Sequence, residues 1–359
     1  RPWPTLWPTS WSPSIEDDGR RTRVGALATG ADVLGYHRWS ASLGWIASGP
    51  RDVSVARARP DWRMAYTYDR WRASYIVALS SARRFVPGRT STVALRRDEM
   101  EAGVVLPFRG VRTTHVGAGF VSVGRDRTEN ATSFDSLTER VALKGGWSFS
   151  SAHRYGYSVS LEEGTQAALV VETVANGADA HRSRATRLSA DVRRYVRGWS
   201  RHHVAAIRLA GGYVRDGGNP NEWFTLGGDG PAGEIDGLFS QPFGLLRGFS
   251  VDRFAGSRLA IANVDYRWPL AWPERGVGIW PGFVRSVHGA LFADIGHAWT
   301  APARAADVKV AAGVELGTSV VVGYSLPLSV TVGAGVGRDG ARPEDPLQRR
   351  LFVRVGAAF

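Results

Sequence analysis

A chain of 359 residues without a single cysteine has neither a disulfide framework nor a thiolate metal site. The net charge of +12 is almost all arginine, since Lys144 and Lys309 are the only lysines, and the arginines stand singly rather than in a patch or basic helix, which argues against a nucleic-acid partner. No run of about 18 apolar residues exists, which excludes a helical membrane span but not one built of strands, and 43 glycines with 14 tryptophans suit many short strands better than helices.

The sequence begins at Arg1 with neither methionine nor signal peptide, as a mature form or a piece of something longer would. Its first residues, PWPTLWPTSWSP, space Trp3, Trp7 and Trp11 four apart, but Pro4 and Pro8 oppose a helix, so an extended segment with interfacial indoles is expected. TSWSPSIEDD, residues 9–18, reads as a poor strand because Pro13 cannot donate to a ladder. Segments with a two-residue apolar period follow at 22–32, 37–46, 60–70, 72–83, 97–108, 113–126, 139–151, 157–173, 183–199, 202–214, 254–270 and 285–299. Three more close the chain: VKVAAGVELGTSV, LPLSVTVGAGVGR and LFVRVGAAF.

In the last of these, Leu351, Val353, Val355, Ala357 and Phe359 share one face. Such strands are long for a soluble protein and match the ~10 residues a tilted strand needs to cross a bilayer. Links near 70–72 and 322–326 are short, while 173–182, 215–253 and 338–348 are longer, as in outer-membrane barrels. Trp45, Trp62, Trp71, Trp147, Trp199, Trp268 and Trp299 fall at or near strand ends, where indoles favour headgroups. The competing architecture, a soluble sandwich with tryptophans in its core, would have shorter strands and need fewer of them. Even parity adds the weak strand to the fifteen periodic segments. The expected fold is an all-β, transmembrane antiparallel β-barrel of about sixteen strands with a long inward-folding loop. Residues 1–21 form a Pro/Trp-rich periplasmic segment with the weak first strand, residues 22–359 the barrel, and 215–253 an extracellular loop.

That loop contains NEWFTLGGDG and LLRGF and is followed by RLAIANVDYRWPL and ALFADIGHAW. Leu226-Gly227-Gly228, Arg247-Gly248-Phe249, Asp265, the Phe292-x-Asp294-x-Gly296 strand and the terminal Phe359, in that order, resemble the BamA/TamA-type outer-membrane assembly and secretion superfamily, also called the bacterial surface antigen family. The resemblance covers the C-terminal part well and the N-terminal half in strand character alone. It implies an outer-membrane location, a loop folded into the lumen with Arg247 against Asp294 and Asp265 nearby, and Phe359 as a signal for the barrel's own insertion. It also implies periplasmic modules ahead of the barrel, of which residues 1–21 hold none.

Alternation independently turns the two carboxylates inward. Val264, Tyr266 and Trp268 on one face turn Asn263, Asp265 and Arg267 inward, and Leu291, Ala293 and Ile295 do the same for His288, Phe292 and Asp294. A guanidinium fork suits such carboxylates, a glycine permits close approach, and a phenylalanine anchors. The alternative is an ordinary external loop with solvated charges. The sequence departs from the family pattern in Leu246, where valine is more usual, and in the 229–246 insertion, a cap or partner surface.

Other polar clusters read as structural. His202 and His203 are adjacent, so a regular strand sends them to opposite faces and they cannot share a metal. Glu162-Glu163 and Asp98, Glu99 and Glu101 suit a polar lumen or loop, and Asn130-Ala131-Thr132 is a sequon of little meaning in a bacterial chain. Arg187, Asp191, Arg193 and Arg197 form an inward row that either attracts anions and acidic segments or makes wall salt bridges. No nucleophile elbow or phosphate loop occurs, so neither catalysis nor a cofactor is expected.

Two roles remain open. One is a machine assisting insertion or translocation of proteins or lipids through a seam between poorly paired first and last strands. The other is a plugged structural barrel anchoring a periplasmic domain or partner complex; the plug disfavours a diffusion pore. Expected partners are outer-membrane lipid and lipopolysaccharide, client polypeptides, and a periplasmic module or partner proteins.

Overall fold

The computed structural model describes residues 6–17, 21–50, 52–53, 59–87, 92–129, 137–178, 181–216, 223–228, 244–276, 278, 282–323, 326–340 and 346–357. Its strands are β1 (Ser10–Asp17), β2 (Thr22–Ala31), β3 (His37–Ser48), β4 (Asp61–Tyr68), β5 (Ser74–Pro87), β6 (Thr92–Arg109), β7 (Thr114–Thr128), β8 (Leu137–Ser150), β9 (Gly164–Ala178) and β10 (His181–Arg197). There follow β11 (Val204–Arg215), β12 (Phe224–Leu226), β13 (Phe254–Gly256), β14 (Arg258–Ala271), β15 (Arg275–Gly276), β16 (Gly282–Trp299), β17 (Lys309–Val322), β18 (Leu326–Arg338) and β19 (Leu347–Ala357). Phe359, the expected insertion signal, and Asn130 to Thr132 lie outside the described residues, as does most of the 229–246 insertion.

Every neighbour in the wall is antiparallel. The registers run from β1 through β11 to β14, then β16, β17, β18 and β19. The two-residue β15 only extends the β14–β16 hairpin, so the 17-stranded sheet has sixteen wall strands among the described residues. β1 lies beside β19, with Cα atoms within 8 Å, yet no ladder register joins the two among the described residues. The weak segment is thus the first strand, shorter than most and carrying Pro13 in its interior.

Alternation sorts the side chains as the period-two pattern requires. Val121 and Val123 on β7, Leu169 and Val171 on β9, and Leu351 and Val353 on β19 are exposed on the outer face. Their neighbours Phe120, Ser122, Val170 and Phe352 are buried inside. Trp45, Trp62, Trp71, Trp147 and Trp199 are exposed, and Trp199, Tyr266 and Trp268 form a continuous aromatic run at one rim, as an interfacial belt should.

One segment differs from expectation. The period-two stretch from Tyr157 is not the start of a strand: β9 begins at Gly164, and residues 151–163 form the β8–β9 connection. It lies across the rim, where the Trp272 indole donates to the Tyr157 carbonyl (3.0 Å) and Glu162 meets His202 (2.5 Å). Tertiary contacts have overridden local alternation. Correspondingly, 173–182 is no long loop, because β9 and β10 continue to a tight connection between Ala178 and His181.

Candidate functional site: an arginine-anchored lumenal plug

The connection from β11 to β14 leaves the rim opposite the chain ends and returns into the barrel. Its two legs are clipped together by the β12–β13 ribbon and by a bridge between Gly228 and Leu246. Gly227 and Gly228 have φ of +128° and +102°, and a Cβ on Gly227 would sit 2.4 Å from the Ser250 carbonyl oxygen, so the Leu-Gly-Gly entry needs its glycines. Leu226 and Phe224 are buried, Phe224 against Gly212 of the wall.

Across the lumen Phe224, Leu226, Leu246 and Phe249 pack with Ala185, Ala210, Val214, Leu259, Ile261, Ala298 and Ala311, all inward positions of wall strands. An apolar lumen wall needs a cover, and the loop supplies it. Gly248, at φ +96°, lies so close to β18 that an added Cβ would be 3.0 Å from the Gly337 nitrogen. Gly337 in turn leaves room for the Phe249 ring, whose edge meets Phe254 at 5.3 Å between centroids. The Phe249 carbonyl accepts from Arg350 of the last strand.

Arg247 is 1% exposed and surrounded by acceptors from three strands. Its Nη2 donates to Asp265 Oδ1 (2.6 Å) and Asp294 Oδ1 (2.7 Å), its Nε to Asp294 Oδ2 (3.0 Å), and its Nη1 to Glu315 Oε1 (3.2 Å). The Arg247 amide also donates to Asp294 Oδ2 (2.9 Å), and the guanidinium lies 3.9 Å from the Phe292 ring centre. Burial opposes this cation, but the hydrogen bonds to Asp294 and the charges of Asp265, Asp294 and Glu315 outweigh it and raise the arginine pKa.

Three carboxylates against one guanidinium would leave excess negative charge in a dry site. Arg267 pairs with Asp265 (2.8 Å) and Arg354 with Glu315 (3.4 Å), while Asn263 donates to Asp294 (2.8 Å), so the excess is spread over wall cations and a neutral donor. Every motif residue singled out in sequence and described here, Leu226, Gly227, Gly228, Arg247, Gly248, Phe249, Asp265, Phe292 and Asp294, lies in this plug or its seat. Glu315 and Asn263 were legible as inward side chains but not as members of the site; their distance along the chain hid the contact.

The remaining clusters are structural. Asp191 holds Arg193 (3.0 Å) and Arg208 (2.6 Å), and Arg187 stacks 4.5 Å over Phe224, so the inward row forms wall salt bridges and supports the plug. Arg197 leaves that row, half exposed at the rim beside Glu163 (3.0 Å). His202 and His203 diverge, to Glu162 and to the Tyr266 hydroxyl (2.7 Å). Glu99 and Glu172 share Arg140, Glu101 meets Arg63 at 3.6 Å, and Asp98 accepts from Ser81.

No family model and no curated relative matches the sequence. Solved structures do match in shape. BamA from Haemophilus ducreyi, in a form lacking POTRA domains 1–3, aligns with 98% of this chain and 76% of its own at TM-score 0.63 and 12% identity. CdiB from Escherichia coli aligns with 98% of this chain at TM-score 0.54 and 15% identity, and CdiB from Acinetobacter baumannii with 96% at 0.55 and 12%. The chain spans 63% and 59% of those two proteins, less than two thirds of either. It therefore has the fold of the BamA- and CdiB-type outer-membrane β-barrels, with a loop of its own folded into the lumen.

Proposed function

We propose that this barrel assists the insertion or translocation of polypeptides at the outer membrane, using the junction of β1 and β19 as its opening. The observation that carries the reading is that junction: an 8-residue strand with an interior proline lies beside the last strand without a described ladder. Neighbouring wall pairs zip along their length, as β16 and β17 do from Gly282↔Val322 to Gly296↔Lys309. A strand edge with unpaired backbone groups is a template for an incoming strand. The plug fills the lumen beside β10 to β19, which favours a client at the edge over one passing through an open pore. The reading assigns the barrel no catalysis and no cofactor.

The test uses the natural absence of cysteine. Ser14→Cys is combined in turn with Arg350→Cys, Phe352→Cys or Arg354→Cys, and insertion of an unfolded client barrel into liposomes is followed before and after reduction. Loss of insertion in the oxidised, cross-linked form and recovery on reduction is expected. Unchanged insertion by the cross-linked form would overturn the proposal.

The second reading, a structural barrel anchoring a periplasmic domain or partner complex, draws on the connection at 151–163. Tyr157, His202 and Trp272 pack ring to ring there, at 5.8 to 6.5 Å, and bind three connections into one surface. On that reading the cross-link leaves function intact, while Trp272→Ala releases the partner.

A further inference from the structure

The salt bridges of the lumen pair arginines with carboxylates, so the surplus positive charge must be sought on the rims. Two connections of the rim shared by the chain ends stand out: 69–73 between β4 and β5, and 110–113 between β6 and β7. Because β5 pairs with β6, these two connections are neighbours. The first carries Arg70 and Arg72 and the second Arg112, all exposed, and among the described residues no carboxylate pairs with any of the three.

Aromatic rings hold two of these arginines in place. The Arg72 guanidinium lies 4.7 Å from the Phe108 ring centre and that of Arg70 lies 5.9 Å from Trp71. Trp71 and Phe108 are themselves exposed, at 64% and 44%, and Val111 is fully so. Exposed indole and phenyl rings mark the headgroup level of a membrane barrel, so these guanidinium groups sit where phosphates lie. Short connections and the chain ends place the rim in the periplasmic leaflet, since the long plug connection belongs to the opposite rim.

Above the patch the lipid-facing surface is recessed. Gly117, Gly119 and Gly145 share the outward face with Val121, Val123 and Trp147, and an added Cβ on any of the three would meet no heavy atom within 4 Å. Gly119 pairs with Gly145 and Gly117 with Trp147, so the missing side chains form one notch across β7 and β8. Leu106, the β6 partner of Gly117, flanks it, two residues from Phe108. A column of glycines alone is only a gap; beside a cationic, aromatic-braced rim it lies where the hydrocarbon chain of a bound headgroup would run.

We propose that this face binds an anionic phospholipid of the periplasmic leaflet, its phosphate on Arg70, Arg72 and Arg112 and one acyl chain in the Gly117–Gly119–Gly145 notch. Guanidinium forks match phosphate oxygens, and an anionic headgroup offsets charge that a zwitterionic one leaves unbalanced. The site stands on the barrel's orientation and not on what the barrel does to clients.

Native mass spectrometry of the barrel released from nanodiscs containing phosphatidylglycerol and phosphatidylethanolamine tests it. The triple variant Arg70→Ala/Arg72→Ala/Arg112→Ala is expected to retain at least about tenfold less phosphatidylglycerol, while Arg125→Ala/Arg127→Ala/Arg215→Ala on the opposite rim changes retention by less than about twofold. Gly119→Leu, whose Cβ would meet no heavy atom within 4 Å, is expected to fill the notch and lower retention with the barrel's melting temperature unchanged. Equal retention by the first triple variant and the unmodified protein would overturn the proposal, as would equal losses from both rims. Full displacement of the lipid by inorganic phosphate would do so too, since it would reveal an anion site rather than a lipid site.

Discussion

The two halves of the barrel fill their lumen in opposite ways. From β10 to β19 the inward surface meets the plug, with Ala210, Leu259, Ile261 and Ala311 under the loop's apolar side chains and Asp265, Asp294 and Glu315 around Arg247. From β1 to β9 wall side chains fill the inward side, with Arg140 between Glu99 and Glu172 and Val105, Phe120 and Val170 packed together, and a cavity of about 520 Å³ remains, lined in part by Thr29, Arg38, Ser40, Thr67 and Ser74. Among the described residues the plug therefore lines one half of the barrel. The other half is the one that contributes β1 to the seam.

If that division is real, disruption must hurt one half far more than the other. The largest effect is expected from Arg247→Ala, which leaves buried Asp294 without a cation and takes one partner each from Asp265 and Glu315; stability should fall by about 3–5 kcal/mol, read as a lower heat-modifiability transition and rapid proteolysis of the loop. Unchanged melting would mean that plug and wall are energetically separate. Gly248→Ala comes next, at about 1–3 kcal/mol, because its positive φ and the 3.0 Å approach to β18 both resist a side chain. In the other half Arg140→Ala removes the partner of Glu99 and Glu172, and about 1–2 kcal/mol is expected in the same melting assay. Smallest is Arg125→Ala, whose bridge to Glu139 at 3.5 Å is largely exposed; a shift above about 0.5 kcal/mol there would undermine the ranking.

Much of this contrast was legible in the chain. A two-residue period depends only on neighbours, so strand faces, the weak first strand at Pro13 and the inward carboxylates Asp265 and Asp294 could be assigned directly. Arg247 against Asp294 came from the ordered motif set. Glu315, 68 residues from Arg247, shows the limit: its face was readable, but which lumenal group it meets depends on how three strands lie in register. The stretch after Tyr157 fails for a related reason. Its alternation is genuine, but Glu162, His202 and Trp272 draw it across the rim, and no local pattern encodes that choice. The β12–β13 clip, only three residues a side, was too short to register as a period.

The arrangement around Arg247 also bears on how the barrel reaches its native form. Asp265, Asp294 and Glu315 come from β14, β16 and β17, so the arginine's seat exists only when those strands are aligned as Asn263↔Asp294 and Ala290↔Glu315 require. A slip of one residue in any of them would turn its carboxylate to the lipid face. One side chain on a loop thereby proofreads the alignment of three strands, and only a correctly zipped wall can hold the loop down.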